Sequence, residues 1–119
     1  MLSLRERAEQ LNSNQPAIMV GKEKGVNGEI INKIVTINDY DFLKDKQGKE
    51  YAVYTLKEIP TTYFFGGVVI TARLRQLHDE GYQSEIKNEG LPMLLTQFRT
   101  KDNRICFNVE FYPKENPEA

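Results

Sequence analysis

Two runs of β-branched and aromatic residues, joined by a short polar segment, dominate the hydrophobic pattern of the chain. They cover residues 30–43 and 51–56, and the link between them, residues 44–49, contains a glycine. Such residues favour the pleated surface of a sheet, and a short glycine-containing link between two such runs is typical of a hairpin. Neither run has a plainly polar face. We therefore expect one face to form the core and the other to carry aromatic side chains for a ligand or a partner.

Strict alternation of side chains assigns faces to both strands of this hairpin. In the first strand it separates two sets of residues, Ile31, Val35 and Ile37 against Ile34, Tyr40 and Phe42. In the second strand the two sets are Tyr51 and Val53 against Ala52, Tyr54 and Leu56. Tyr51 and Tyr54 thus point to opposite sides, and at most one of them is expected to face a ligand.

A third strand and a helix follow the hairpin. Residues 63–65 predict a short strand, which two glycines end. Within residues 68–80, Ile70, Leu74 and Leu77 recur at helical spacing, and a glycine follows at position 81. This pattern predicts a helix with one apolar face and a glycine at its C-terminal end. Residues 82–90 are polar and predict a loop.

The C-terminal part predicts two more strands, at residues 91–100 and 104–112, with a turn at residues 101–103. In the first of them, Met93 and Leu95 oppose Leu94 and Phe98. The second alternates cleanly, with Ile105, Phe107, Val109 and Phe111 on one face, and this alternation assigns Phe107 and Phe111 to the core.

The sequence also predicts short elements near the N-terminus and a tail at the C-terminus. Leu4, Ala8 and Leu11 form a narrow apolar stripe, which predicts a short N-terminal helix. That helix is too short to be stable alone and is expected to dock on the domain or on another chain. Residues 17–20 predict a short strand. We therefore predict that residues 1–112 form one domain with an N-terminal helical extension and that residues 113–119 form a disordered tail.

The order strand, strand, strand, helix, strand, strand predicts a mainly β fold, a five-stranded OB barrel. One helix lies between strands three and four, and a short helix precedes the barrel. OB barrels bind oligonucleotides across their second and third strands, between the loops that follow strands one and four. Those loops are residues 44–49 and 101–103, and both contain lysine. An open two-layer α+β sheet built from the same elements is the alternative fold.

The predicted groove would bind nucleic acid by stacking bases on aromatic rings and by contacting phosphates with Lys and Arg. The candidate nucleic-acid-binding residues are Tyr40, Phe42, Lys44, Lys46, Lys49, Tyr51, Tyr54, Phe64, Phe98, Arg99, Lys101 and Arg104. The last three cations fit a solvated hairpin tip equally well. Three consecutive aromatics at residues 63–65 cannot all enter one core, so one side is expected to meet a ligand, the N-terminal helix or a second subunit.

Charge and composition limit the other classes of function. The net charge is −1, so only a local basic surface is available for nucleic acid. Cys106 and His78 are each the only residue of their type, which excludes an intrachain disulfide and the usual Cys/His zinc sets. Asp39 and Asp41 are more typical of a solvated strand end than of a metal site. We therefore expect a non-enzymatic protein without cofactor or metal, and we expect neither a membrane span nor a secretory signal.

Three segments carry a resemblance to a known group. Residues 35–42 (VTINDYDF), 48–56 (GKEYAVYTL) and 63–67 (YFFGG) resemble small early proteins of phages that infect lactococci and related bacteria. One group of these is known as OB-fold single-stranded DNA-binding proteins. The resemblance spans residues 30–112. It implies sequence-independent binding of single-stranded DNA in phage replication or recombination, in the cytoplasm of the bacterial host. It further implies a homodimer that works with phage replication or recombination proteins.

A second hypothesis assigns the same aromatic surface to a protein partner and not to DNA. The aromatic sheet face and the N-terminal helix would then mediate assembly with proteins, without catalysis and without nucleic acid. The near-neutral net charge favours this interpretation, whereas the two lysine-bearing loops and the resemblance favour DNA binding. Salt separates the two hypotheses, because DNA binding weakens steeply with rising salt and an aromatic protein interface does not.

Overall fold

The computed structural model describes residues 3–5, 8 and 16–113. Six strands form one mixed sheet in the order β1-β4-β3-β2-β5-β6. The strands are β1 (Glu23–Lys24), β2 (Ile34–Lys44), β3 (Glu50–Leu56), β4 (Thr62–Phe65), β5 (Leu91–Arg99) and β6 (Ile105–Phe111). The helices are α1 (Val68–Asp79) and α2 (Gln83–Glu89), and 3₁₀ turns occupy Ala17–Met19 and Asn27–Ile30. Within these described residues, no helix is both long enough and apolar enough to cross a membrane.

The mainly β fold, the five predicted strands and the predicted helix are confirmed, but the sheet is not closed into a barrel. The outer edge of β4, where a closing strand would pair, is already occupied. Glu23 and Lys24 of β1 pair there in parallel register with Thr62 and Tyr63. Beyond them, the side-chain amide of Asn27 donates a hydrogen bond to the Phe65 carbonyl oxygen at 3.0 Å. At its other side the sheet ends with β6, whose neighbour is β5.

A β-bulge in β2 changes the faces that alternation assigned to this strand. The pairing with β3 shifts between Ile37 and Asp39, so Asn38 is an extra residue without an opposite partner. An extra residue in one strand reverses the alternation beyond it. Ile37, Tyr40 and Phe42 therefore all contact the same core. The prediction that Tyr40 and Phe42 lie opposite Ile37 is wrong for this reason.

The core lies between one face of the sheet, which we call the inner face, and the two helices. Its buried residues are Ile30, Val35, Ile37, Tyr40, Ala52, Tyr54, Leu56, Phe64, Ile70, Leu74, Ile86, Leu91, Met93, Leu95 and Val109. Phe107 and Phe111 are half-buried and pack against it, on the face that alternation assigned. A smaller cluster on the outer face joins Ile18 and Met19 of the first 3₁₀ turn to β3 and β4.

Two short elements differ from the prediction. The predicted strand at residues 17–20 is replaced by a 3₁₀ turn at Ala17–Met19, although Ile18 and Val20 are buried as expected for apolar residues. Residues 83–89 form a helix where a loop was predicted, because its one buried apolar residue, Ile86, gives no detectable periodicity. Gly90 ends this helix with a φ of 89°.

The N-terminal stripe is described only in part. Leu4 and Ala8 have helical backbone, and Leu4 is 88% exposed. Leu11, which completes the predicted stripe, and residues 114–119 of the predicted tail lie outside the described residues.

A buried hydroxyl connects α1 to the sheet, and its removal is expected to destabilise the fold. The backbone N–H of Ala52 donates to Thr71 Oγ1 at 2.9 Å, and both residues are buried. Thr71→Val leaves that N–H without an acceptor. We expect it to lower the free energy of unfolding by about 1–3 kcal/mol, measured by urea denaturation. Thr71→Ser keeps the hydroxyl and is expected to lose less, and equal stability of the Val variant and the parent would contradict the assignment.

Candidate nucleic-acid interface

Two of the predicted groove aromatics, Tyr54 and Phe64, form the centre of the core. Both side chains are 0% exposed, and their rings stack with centroids 5.7 Å apart. The Tyr54 hydroxyl donates to Asn27 Oδ1 at 2.9 Å, and burial raises the pKa of this phenol. A fully buried ring offers no surface to a base, so these two residues have a structural role here.

Tyr40 and Phe42 face α1 on the inner side of the sheet. The Tyr40 hydroxyl lies 3.0 Å from His78 Nδ1, and the rings of Tyr40, Phe42 and His78 meet edge to face. The Arg75 guanidinium lies 4.1 Å from the centroid of the Phe42 ring. Phe42 is therefore half-buried beneath a helix side chain, and Tyr40 is buried.

An ion pair fixes the arginine that covers Phe42. Arg75 donates from Nε to one carboxylate oxygen of Glu50 at 3.1 Å and from a terminal nitrogen to the other. This hydrogen bonding holds the pKa of Glu50 below its usual value, and the nearby Lys44 ammonium acts in the same direction. Lys44 thus belongs to the charge cluster around Glu50.

The outer face of β3 and β4 carries a different group of aromatics, which we call the β3–β4 aromatic patch. It consists of Tyr51, Tyr63, Phe65 and Lys24. Tyr51 and Tyr63 both contact Phe65 edge to face, with centroid separations of 5.5 Å in each case. The Lys24 ammonium lies 5.1 Å from the Phe65 ring centroid, a cation–π contact. An ordered aromatic surface with an adjacent cation therefore exists on the outside of the sheet.

Packing beneath the patch holds its rings in place. Tyr63 is buried, whereas Tyr51 and Phe65 are half-buried and keep part of each ring accessible. Phe65 packs against the buried Ile18 and Val53 of the outer cluster, and Tyr51 contacts the Phe65 ring. Because the rings are anchored on one side, a planar ligand meets them with little further loss of side-chain entropy.

The β2–β3 turn carries two further lysines, Lys46 and Lys49, and Lys49 lines a surface cavity together with Tyr51. The carboxylate of Asp45 accepts the backbone N–H groups of Gln47 and Lys49, both at 2.9 Å, so it stabilises the turn itself. Within the described part of the chain, Lys24, Lys46 and Lys49 have no ion pair. Their ammonium groups are available for phosphate.

The predicted candidates of the β5–β6 hairpin lie elsewhere on the sheet. Phe98 is 50% exposed and pairs with Cys106 on the outer face. Arg99 donates to Asn103 Oδ1 at 2.9 Å, and the exposed Arg104 pairs with Asp102 at 2.7 Å. Lys101 is exposed at the turn.

The strand pairing separates the two lysine-bearing loops. The β2–β3 turn follows the C-terminal end of β2, whereas β5 pairs with the first residues of β2 and then runs past them. The two loops thus lie beyond opposite ends of β2. Tyr51, Lys46 and Lys49 belong to one hairpin, and the residues of the second hairpin lie away from it.

Sequence reasoning did not include three members of the patch among the candidate residues. Tyr63 and Phe65 had a signal, because three consecutive aromatics required a second environment outside one core. Lys24 had none: it lies in a polar connector, and its position next to Phe65 depends on the pairing of β1 with β4.

The residues considered for metal or nucleophilic chemistry have other contacts. Asp39 forms an ion pair with Lys87 at 3.6 Å, and Asp41 accepts the backbone N–H of the next residue. His78 is next to Tyr40, and Cys106 is partly exposed in β6. Among residues 3–5, 8 and 16–113, no three His, Cys, Asp or Glu side chains are grouped as a metal site.

Comparison with known proteins adds no family assignment. The chain matches no protein-family model, no curated protein and no solved structure. The resemblance of residues 30–112 to phage proteins therefore stays a prediction from sequence, and the surface chemistry of the β3–β4 aromatic patch is the basis for assigning a function.

Proposed function

We propose that the β3–β4 aromatic patch binds single-stranded DNA without sequence specificity. The observation that carries the proposal is the combination of ordered, partly accessible rings at Tyr51 and Phe65 with the Lys24 ammonium against the Phe65 ring and the lysine-bearing β2–β3 turn at the start of the strand that carries Tyr51. Every base has a π face, so stacking on these rings contributes about 1–3 kcal/mol per base with little regard to sequence. The lysines then neutralise phosphates along the strand.

The order of the longer strands supports this assignment. β2 pairs with both β3 and β5, while β4 continues from β3 and β6 from β5. A five-stranded OB barrel opened between its third and fifth strands has the same order. OB folds bind oligonucleotides across their second and third strands, which correspond to β3 and β4. The role in phage DNA replication or recombination rests on the resemblance of the sequence.

The patch favours unpaired over paired bases. In a duplex both faces of each base are stacked on neighbouring bases, so a ring at the protein surface has no free base face to cover. In a single strand the bases are exposed and can stack on Tyr51 and Phe65 while the backbone passes near Lys24 and the β2–β3 turn. Duplex DNA is therefore expected to compete poorly.

Salt dependence tests the proposal and gives a specific prediction. Three phosphate contacts, from Lys24, Lys46 and Lys49, give a slope of log affinity against log salt of about −2, since each contact on a single strand contributes about −0.7. Fluorescence anisotropy of a labelled oligothymidine, at several salt concentrations and with duplex competitor, measures this slope. Lys24→Ala is expected to reduce its magnitude by about 0.7.

The matched control for this experiment is Lys57→Ala. The Lys57 ammonium donates to the Glu89 carbonyl oxygen at the end of α2, so it is not part of the patch. Its replacement is expected to leave the slope unchanged. Absence of binding at micromolar protein, or an equal slope for the parent and Lys24→Ala, would contradict the proposal.

A second candidate function is non-enzymatic protein interaction. Val68 at the start of α1 is 71% exposed and Ile105 at the start of β6 is 50% exposed, and both line a cavity of about 280 Å³ at the open side of the sheet. Apolar surface of this kind is typical of protein contacts. An oligothymidine that does not bind at low salt would favour this function over DNA binding.

A further inference from the structure

β6 presents an unpaired edge. The backbone N–H of Thr100 donates to the Arg104 carbonyl oxygen and that of Tyr112 to the Pro92 carbonyl oxygen, both at 2.9 Å. Even-numbered residues of this strand therefore hydrogen-bond to β5. In an antiparallel ladder the alternate residues turn their N–H and C=O groups to the other side. In β6 these are Ile105, Phe107, Val109 and Phe111.

No strand of the described chain pairs with this outward edge. The Val109 carbonyl oxygen accepts a hydrogen bond from Arg73, whose side chain is exposed. The opposite edge of the sheet is covered by β1. An uncovered edge with apolar side chains such as Ile105 is a template for pairing with another chain, and proteins usually cover or charge such edges.

The charges of β6 and its flanking residues are complementary to those of a second antiparallel copy. When two copies pair around Phe107, Arg104 of each chain lies opposite Glu110 of the other, so both ends of the ladder carry opposite charges. Asp102 engages only Nε of Arg104, which leaves the terminal nitrogens for this contact. A ladder centred on Asn108 would instead place Glu110 opposite Cys106 and lose both charge pairs.

We propose that two copies of this chain join by antiparallel pairing of their β6 strands, centred on Phe107. The outward N–H of Phe107 in each copy donates to the Phe107 carbonyl oxygen of the other. Ile105 pairs with Val109, whose carbonyl oxygen has a second lone pair beside the one that accepts from Arg73. The result is a two-fold symmetric assembly with one continuous sheet. This surface is separate from the β3–β4 aromatic patch, so the proposal goes beyond the proposed function and does not depend on it.

The first step of the test is the mass of the parent protein in solution, measured by sedimentation equilibrium over a range of concentrations. A dimer is expected. A monomer at every concentration up to the millimolar range would overturn the proposal. Because no DNA is present, this outcome is independent of whether the patch binds single strands.

Cysteine cross-linking then tests the register. In the proposed ladder, Cys106 lies opposite Asn108 of the other copy in a non-hydrogen-bonded pair, where Cα atoms are about 4.5 Å apart. That separation is within the range that a disulfide spans. Asn108→Cys is therefore expected to give a covalent dimer under mild oxidation, seen on a non-reducing gel. The parent protein is expected to give none, because its two thiols are not opposite each other.

Two variants provide the controls for register. The double variant Cys106→Ser/Asn108→Cys removes the opposing thiol and is expected to lose the cross-link. Glu110→Cys places a thiol opposite Cys106 only in the ladder centred on Asn108, so it is expected to give no covalent dimer. Efficient cross-linking of Glu110→Cys, or none in Asn108→Cys, would overturn the proposed register.

Charge reversal tests the same contact without a disulfide. Arg104→Glu places like charges opposite each other at both ends of the ladder and is expected to raise the dimer dissociation constant about tenfold or more. The combined variant Arg104→Glu/Glu110→Arg restores opposite charges and is expected to restore dimerisation. An unchanged dissociation constant in Arg104→Glu would overturn the assigned contact.

Discussion

Replacing both Tyr51 and Phe65 by leucine is expected to weaken binding of oligothymidine by about 30-fold or more. Each ring that stacks a base contributes about 1–3 kcal/mol, and about 1.4 kcal/mol corresponds to tenfold in affinity. Leucine keeps apolar volume at both positions and, at position 65, the packing against Val53 and Tyr63, so the sheet beneath the patch is retained. Anisotropy titration at low salt measures the effect.

Tyr82→Leu is the matched control for that variant. Tyr82 is an exposed tyrosine that precedes α2, and it belongs to neither the patch nor the core. Its replacement is expected to leave the affinity unchanged. Urea denaturation of each variant separates a loss of binding from a loss of folding. A folded Tyr51→Leu/Phe65→Leu variant that binds like the parent would contradict the assignment of the patch.

Phe64→Ala is expected to lower the free energy of unfolding by about 3–5 kcal/mol. The ring is fully buried and stacks on Tyr54, and deletion of a buried phenylalanine side chain removes its transfer energy and leaves a cavity. Small domains are usually stable by about 5–15 kcal/mol, so the variant is expected to lose a large part of its stability. Urea denaturation followed by circular dichroism measures the change.

Phe98→Ala serves as the comparison, because the Phe98 side chain is 50% exposed at the far hairpin. Its effect on stability is expected to stay below about 1 kcal/mol. Comparing the stability and the DNA binding of these two variants also shows whether Phe64 acts in the core or in a binding surface. If Phe64→Ala were as stable as the parent and had lost DNA binding, Phe64 would have the binding role that the sequence predicted and not a role in the core.

Local patterns predicted most of the secondary structure. The β2–β3 hairpin follows from two apolar runs around a short link, in which Gly48 adopts a φ of 82°. The α1 helix follows from the spacing of Ile70, Leu74 and Leu77, and the alternation in β6 correctly predicted that Phe107 and Phe111 face the core. These features depend on neighbours within a few residues, which is the information that a single sequence contains.

Contacts between distant segments decided the rest of the fold. The bulge at Asn38 moved Tyr40 and Phe42 to the core, and a bulge of this kind depends on pairing with β3 and not on the composition of β2. β1 is only two residues long, yet it occupies the edge of β4 and leaves the sheet open. A segment of this length has no periodicity that identifies it as a strand.

The candidate site was predicted in part for the same reason. Tyr51, Lys46 and Lys49 are close in sequence and belong to the hairpin that the hydrophobic pattern predicted. Lys24 and Phe65 are 41 positions apart (65 − 24) and meet only through the β1–β4 pairing. Because alternation places Tyr51 and Tyr54 on opposite faces of the strand, only one of them was expected to face a ligand. The structure shows that Tyr54 is the buried one.

Photo-cross-linking of an iododeoxyuridine-substituted oligothymidine, followed by trypsin digestion and peptide sequencing, tests the central claim most directly. Tyr51 lies in the tryptic peptide of residues 50–57, Phe65 in that of residues 58–73 and Phe98 in that of residues 88–99. The proposed interface places the cross-links at Tyr51 and Phe65. Cross-links confined to residues 88–99, or none under conditions where the oligonucleotide is fully bound, would contradict it.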